Sequence, residues 1–236
     1  MHLASVRGKL PIECATEDML TSNVLGLVSY WTGASEFWQT LLRRCGSPAA
    51  DWSWTPSPAY EFWPRMSDGG EPDLVLRWPR RVLIVEVKRH APLSVDPTTG
   101  RSQVARYFES IRRSDDELDE LAALLLTGES YFSSYRSSEL LHIQAELNPH
   151  GASATWTSWF EVRRVLSSMA HEHRVARDLT EFLACEGFSW KGIAQLSDVV
   201  SLHALPSWTP ASSDAQLRVD HLHNVEPLDL ATWEEA

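Results

Sequence analysis

Cysteine is scarce in this chain, with only Cys14, Cys45 and Cys185 among 236 residues. An odd number at wide spacing excludes both a disulfide framework and the paired spacing of a zinc motif. Free cysteines without a pairing pattern are typical of a reducing compartment. We therefore expect free thiols in a cytoplasmic protein.

Long hydrophobic runs are also absent. The most apolar stretch is the short run Val82-Leu83-Ile84-Val85, whereas a membrane-spanning helix needs about 18 residues. Residues 1–11 contain no apolar core followed by a small-residue cleavage site, so no secretion signal is predicted. These features predict a protein that stays in the cytoplasm and has no membrane partner.

Positive charge is the third scarce property, because 21 Lys and Arg stand against 32 Asp and Glu, for a net charge of −11. An acidic chain argues against a general nucleic-acid coat. The basic residues are nevertheless concentrated in residues 77–113, where only Glu86, Asp96 and Glu109 oppose them. They are Arg77, Arg80, Arg81, Lys88, Arg89, Arg101, Arg106, Arg112 and Arg113. A basic segment in an acidic chain predicts one face that contacts an anion.

The hydrophobic content of 43% is typical of a globular domain. Hydrophobic periodicity predicts helices at 14–38, 102–112 and 156–185, and strands at 59–66, 73–78, 82–88, 121–126 and 140–147. This order predicts an α/β fold in which helices flank a mixed central sheet, in one domain over residues 1–190. Residues 191–236 are predicted to be a C-terminal extension, for which the sequence indicates no role.

The stretch most informative about function places a carboxylate inside an apolar strand. Glu86 and Lys88 are two residues apart in the predicted strand 82–88, so they share a face. A carboxylate in so apolar a run is costly to bury unless its charge is compensated. Asp73 begins the preceding strand, and pairing through a turn at Pro79-Arg80-Arg81 would place Asp73 across from about residue 87.

Asp73 and Glu86 are therefore expected to lie close together at one end of the sheet. Adjacent carboxylates repel each other unless a proton or a cation lies between them. A divalent metal removes the repulsion, and oxygen ligands favour Mg²⁺ or Mn²⁺. Lys88 beside the metal could orient a water or stabilise charge on a phosphate.

The ordered set Pro72-Asp73, then Glu86-Val87-Lys88, resembles the motif of the PD-(D/E)XK nuclease superfamily. Gln103 and Tyr107 fit the QxxxY element of its recombination-exonuclease-like branch, and at i and i+4 they share a helix face. Glu17 in the first predicted helix matches a further acid that many members supply there, with Asp18 as the competing choice.

The resemblance implies a restriction-endonuclease-like fold and a Mg²⁺- or Mn²⁺-dependent deoxyribonuclease that hydrolyses DNA phosphodiester bonds. It implies catalytic roles for Asp73, Glu86, Lys88, Gln103 and Tyr107, with Glu17, Asp73 and Glu86 as the metal ligands. Lys88 would assist the attacking water, and the QxxxY face would point at the site or at the nucleic-acid backbone. Bacterial defence or repair is an expectation at the level of the family.

A second interpretation keeps the fold without free-standing activity. The chain would then be a catalytically silent or partner-activated subunit that serves as a binding or assembly module. The acidic charge outside residues 77–113 favours it, because a free-standing DNA-cutting enzyme usually attracts its substrate over a broader surface. No separate DNA-reading domain is evident, so a homodimer or a partner protein would direct the chain to its target.

Simpler structural interpretations exist for the same residues. Glu86 and Lys88 would form an ordinary ion pair on an exposed edge strand, and Asp73 would cap a turn. Glu17 would be an acid favoured by the helix dipole, and Tyr107 a core residue beside a solvated Gln103.

Two pairs of histidines are not predicted to bind a metal. His171 and His173, like His221 and His223, do not match the HExxH spacing that places two imidazoles on one helix face.

Overall fold

Five strands and seven α-helical segments form the part of the chain that the computed structural model describes, residues 16–88, 95–115, 117–128 and 134–188. The strands are β1 (Ala59–Phe62), β2 (Leu74–Trp78), β3 (Arg81–Lys88), β4 (Glu120–Thr127) and β5 (Ser153–Ser158). The α-helices are α1 (Thr16–Leu20), α2 (Gly26–Val28), α3 (Ala34–Arg44), α4 (Gln103–Ser114), α5 (Ser134–Leu147), α6 (Trp159–Met169) and α7 (Arg174–Cys185). A π-helical turn, Thr21–Leu25, joins α1 to α2.

Several sequence-based expectations fall on other residues. Cys14, Arg89, the predicted extension 191–236 and the pair His221 and His223 lie outside the described residues. Within the described ranges, each helix is too short or too polar to span a bilayer.

The five strands form one mixed sheet in the order β1-β2-β3-β4-β5. Strands β1, β2 and β3 are antiparallel neighbours, whereas β3, β4 and β5 run parallel. Helix α4 connects β3 to β4 and α5 connects β4 to β5, because parallel neighbours require a crossover. The carboxyl ends of the parallel strands lie at one edge, where Lys88 pairs with Thr127 and Thr127 with Ser158.

Helices cover both faces of the sheet. One face packs against α4 and α5, with Ile84, Leu125, Val104, Ile111 and Leu147 in a common cluster. The other packs against the first helices and against α6 and α7, with Leu83, Val85, Trp38, Trp159 and Leu183 in a second cluster. Because both faces are covered, β3 is buried from residue 82 to residue 87, which explains its nearly continuous apolar run. The predicted α/β fold with a helix-flanked mixed sheet is confirmed.

One predicted element is wrong. Residues 140–147, predicted as a strand, are the second half of helix α5, in which Ile143 and Leu147 are buried and Leu141 is exposed. The helical spacing of the buried positions is masked in the sequence by the adjacent leucines. The strand beside β4 is instead β5, and its residues 156–158 fall in the predicted helix 156–185, which begins only at Trp159.

Candidate active site

Asp73 immediately precedes β2 and lies opposite Glu86 of β3. The register of β2 and β3 pairs Leu74 with Val85 and Trp78 with Arg81, so one further step places Asp73 opposite Glu86. The hairpin loop is two residues long because residue 81 already pairs within the sheet. The predicted three-residue turn is one residue too long, which accounts for the expected partner at position 87. Opposite residues of an antiparallel pair share a face.

The carboxylate of Asp73 is anchored on β3. The Val87 backbone N–H donates to Asp73 Oδ2 at 2.8 Å, and the Trp63 backbone N–H donates to the Asp73 carbonyl at 3.2 Å. Only 8% of Asp73 is exposed. The interpretation of Asp73 as a simple turn cap is therefore incomplete, because its buried carboxylate accepts a hydrogen bond from the neighbouring strand. These contacts hold the carboxylate beside Glu86.

Glu86 is almost completely removed from water, with 2% of its surface exposed. Lys88 Nζ lies 2.7 Å from Glu86 Oε1, whereas Oε2 is buried without a hydrogen-bond partner among the described residues. Burial first, and then the charge of Asp73, raises the pKa of Glu86 to about 8, against the lowering effect of Lys88. The interpretation as an exposed ion pair on an edge strand is therefore wrong, since β3 is central and Glu86 is buried.

Lys88 is the cation of this site, and its side chain is 16% exposed. Burial acts to lower its pKa, but the charges of Glu86, Asp73 and Glu17 outweigh burial and raise the pKa above its ordinary value. Lys88 therefore carries its proton at neutral pH. One ammonium group faces several carboxylates, so the site has an excess of negative charge.

Glu17 belongs to the same electrostatic group. It lies in the first turn of α1, and its charge acts on the pKa of both Glu86 and Lys88. The acid expected from the first helix is therefore within electrostatic reach of the site in the form of Glu17. Three acids, Glu17, Asp73 and Glu86, thus act electrostatically on Lys88.

Gln103 and Tyr107 lie in the first turns of α4, and Tyr107 is within electrostatic reach of the carboxylates. The Gln103 side-chain amide donates to the Tyr107 oxygen, and Tyr107 is fully buried. Burial raises the pKa of Tyr107, and the charges of Glu86 and Asp73 raise it further. The interpretation of Tyr107 as a core residue is confirmed, and the charges of the two acids reach it. Its catalytic role stays a prediction.

The turn before Asp73 is attached to α4 by three contacts. Ser67 and Ser110 share a hydroxyl hydrogen bond of 2.7 Å, and the Ser67 backbone N–H donates to Ser110 Oγ at 2.9 Å. Arg106 Nη1 lies 3.7 Å from Asp68 Oδ2. These contacts fix the turn next to Tyr107.

Most described arginines of the basic segment pair with acids of the chain. Arg77, Arg80 and Arg81 lie at the β2–β3 hairpin, whereas the other described arginines lie along or just before α4. The partners are Glu61 for Arg77, Asp119 for Arg80, Glu120 for Arg81, Glu109 for Arg101 and Arg113, Asp68 for Arg106, and the His150 carbonyl for Arg112. The charges that the sequence groups together are thus distributed over two regions and paired within the chain.

The donors of the site are suited to a hard divalent cation. Within the described ranges, no group of three or more His, Cys, Asp and Glu side chains is already arranged to hold a metal ion. Asp73 and Glu86 nevertheless supply carboxylate oxygens on one face, and Glu86 Oε2 is a buried acceptor without a partner in the described chain. Oxygen donors of this kind suit Mg²⁺ or Mn²⁺. Glu17 would add a further carboxylate to these oxygen donors.

Two residues of the site escape prediction from the sequence. Trp63 follows β1 with a φ of 49°, a strained value for a bulky residue, and donates its backbone N–H to Asp73. Nothing in the sequence marks it. Gly70 lies close to the ring of Tyr107. The sequence feature that could have revealed it is the glycine pair immediately before Glu71-Pro72-Asp73.

Comparison with known proteins finds no matching family model, no matching curated protein and no matching solved structure. The basis for a function is therefore the geometry of the site itself.

Proposed function

We propose that this chain is a Mg²⁺- or Mn²⁺-dependent deoxyribonuclease with a restriction-endonuclease-like fold. Glu86 is the observation that carries the proposal. It lies opposite Asp73 with one oxygen paired to Lys88 and the other buried without a partner in the described chain. Keeping a carboxylate there costs several kcal/mol, roughly, unless a cation compensates it. Strongly shifted pKa values are concentrated at functional sites.

The order of the elements supports the same proposal. An acid in the first helix is followed by Asp73 at the start of β2, by Glu86 and Lys88 on the apolar strand β3, and by Gln103 and Tyr107 on α4. This is the order that the PD-(D/E)XK resemblance implies. The charges of Glu17 and Asp73 act on Glu86 and Lys88, and those of Asp73 and Glu86 act on Tyr107.

The site residues would divide the work of phosphodiester hydrolysis. A bound divalent cation would polarise the scissile phosphate and offset the charge that develops in the transition state. Asp73 and Glu86, with Glu17, would hold that cation through carboxylate oxygens. Lys88 carries a proton and would orient the attacking water or donate to a phosphate oxygen.

Cleavage of supercoiled and linear DNA with Mg²⁺ or Mn²⁺ tests the proposal. Asp73→Ala, Glu86→Ala and Lys88→Ala should each slow cleavage by about a hundredfold or more. Asp119→Ala is the matched control, because this acid pairs with Arg80 at the hairpin end of the sheet and should leave the rate unchanged. Cleavage by the three site variants at the wild-type rate would refute the assignment.

The paired arginines favour a second candidate, a partner-activated subunit. Since six of the seven described arginines of residues 77–113 pair with an acid of the chain, less positive charge is left to hold DNA. Such a subunit would bind Mn²⁺ through Asp73 and Glu86 and leave DNA intact when alone. A silent scaffold would bind no Mn²⁺ in calorimetry, and an independent nuclease would both bind and cut.

A further inference from the structure

Gly69 and Gly70 occupy adjacent positions in the turn before β2 for different physical reasons. Gly69 has a φ of +82°, in the left-handed region that favours glycine, and a Cβ placed there would meet nothing within 4 Å. Gly70 lies outside that region. A Cβ at residue 70 would instead lie 2.6 Å from Cε1 of Tyr107. Gly69 permits the bend of the backbone, and Gly70 permits the approach of the ring.

The ring of Tyr107 is enclosed by protein and held at its oxygen. It is fully buried in the cluster between α4 and the sheet. Its oxygen accepts hydrogen bonds from the Gln103 amide and from the Glu71 backbone N–H. A side chain at residue 70 would therefore displace the chain around residues 70–71 rather than the ring.

That displacement would reach Asp73 within two residues. Glu71 is tied to Tyr107, and the Asp73 carboxylate is tied to the Val87 N–H at 2.8 Å. Tyr107 therefore contacts the chain at residues 70–71, just before the segment that carries Asp73 alongside β3.

We propose that Tyr107, packed directly on Gly70, is a positioning residue that sets the location of the Asp73 carboxylate beside Glu86. The role in metal binding rests on the function proposed above, whereas the positioning itself does not. The ring acts through packing on the backbone, and substitution of either partner of the contact changes the place of Asp73 without removing any carboxylate.

Four variants test the contact: Gly70→Ala, Gly69→Ala, Tyr107→Ala and the double variant G70A/Y107A. The first readout is hydrogen exchange of the Val87 amide, followed by NMR, because this N–H donates to Asp73 Oδ2 and reports its position without any ligand. The second is the affinity for Mn²⁺, measured by calorimetry. Thermal unfolding of each variant records whether the fold is retained.

Gly70→Ala should speed exchange of the Val87 amide by about tenfold or more and weaken Mn²⁺ binding by about tenfold to a hundredfold. Gly69→Ala should lower the unfolding temperature and leave both readouts within about twofold of wild type. In the Tyr107→Ala background, Gly70→Ala should change neither readout further, because the ring that it would strike is gone.

Wild-type exchange at Val87 in Gly70→Ala, or an equal effect of this change in both backgrounds, would overturn the positioning role. If Gly70→Ala unfolds the chain, recovery of the fold in the double variant supports the contact, and unfolding in both backgrounds opposes it. A wild type that binds no Mn²⁺ would refute the proposed metal site alone, since the Val87 amide still reports on Asp73.

Discussion

Val87 donates its backbone N–H to Asp73 Oδ2 across the β2–β3 hairpin at 2.8 Å. This bond holds the carboxylate of Asp73, the residue just before β2, against β3 next to Glu86 and Lys88. Both partners are buried, so the bond is protected from competition by water. Asp73 therefore has a structural role and a proposed catalytic role, and substitutions can separate them.

Asp73→Asn and Asp73→Ala should differ in stability and agree in activity. Asparagine keeps an oxygen that accepts from the Val87 N–H, so its free energy of unfolding should stay near that of wild type. Alanine leaves the N–H buried without an acceptor and should cost about 1–3 kcal/mol. Both remove the charge, and both should abolish metal-dependent DNA cleavage. Urea denaturation and a plasmid assay check the two properties.

Asp115→Asn provides the control for loss of a carboxylate elsewhere, because Asp115 lies 4.0 Å from Arg77 and is partly exposed. It should leave both properties near wild type. Wild-type cleavage by Asp73→Asn would show that the charge of Asp73 is not needed for the reaction.

Stability should fall with rising pH because of Glu86. Its pKa is raised from 4.5 to about 8, so between these values the native state holds a proton that the unfolded chain has released. The contribution of Glu86 is fully present below about pH 4.5 and is lost as the pH rises through about 8. The slope approaches about 1.4 kcal/mol per pH unit. Urea denaturation in EDTA from pH 5 to 8.5 measures it.

Glu86→Gln should remove this slope, because the amide imitates the protonated carboxyl group at every pH. The variant should gain stability over wild type progressively towards pH 8. Glu120 forms a partly exposed ion pair with Arg81. The free energy of unfolding of Glu120→Gln should therefore depend on pH in the same way as that of wild type. If the free energy of unfolding of wild type and of Glu86→Gln changed with pH in parallel, Glu86 would be ionised throughout the measured pH range.

The Glu86 site shows how far the sequence predicts this structure and where prediction stops. The alternation of strand residues predicts that Glu86 and Lys88 share a face, because a period of two is a property of any strand. The partner of Asp73 depends on the length of the hairpin loop, and a loop with one residue fewer moves the partner from position 87 to 86. Local pattern does not determine that length.

Long-range pairing explains the other differences. Residues 77–113 are basic as a segment, but the acids that pair with them, such as Glu61 and Asp119, come from elements that are distant in sequence. Strand β5 is likewise stabilised by its position beside β4 rather than by apolar content of its own. Such effects appear only when the chain is folded.

Mn²⁺ binding at pH 7 should release about one proton. The pKa of about 8 means that Glu86 is mostly protonated at pH 7 in the absence of metal, and a carboxylate must lose its proton to bind a cation. Calorimetric titration in two buffers of different ionisation enthalpy measures the number released. At pH 9 the same titration should release none, because Glu86 is then already ionised. Binding without proton release at pH 7 would contradict the participation of Glu86.

Glu109→Gln should strengthen DNA binding if α4 contacts the nucleic-acid backbone. Glu109 pairs with both Arg101 and Arg113, so removal of its charge leaves two guanidinium groups available for phosphates. Affinity at low salt should rise by about threefold to tenfold and depend more steeply on salt concentration. Fluorescence anisotropy with a labelled duplex in EDTA measures binding without cleavage.

Asp119→Asn is the comparison that locates this effect. It frees Arg80 at the hairpin end of β3, whereas Glu86 and Lys88 lie at the opposite end of the same strand. If the affinity for DNA rises in Glu109→Gln and not in Asp119→Asn, α4 belongs to the DNA-binding surface. Equal gains in both variants indicate general attraction of an acidic chain for added positive charge. Absence of a gain in Glu109→Gln would mean that DNA, if it binds, approaches the carboxylates from a direction that does not include α4.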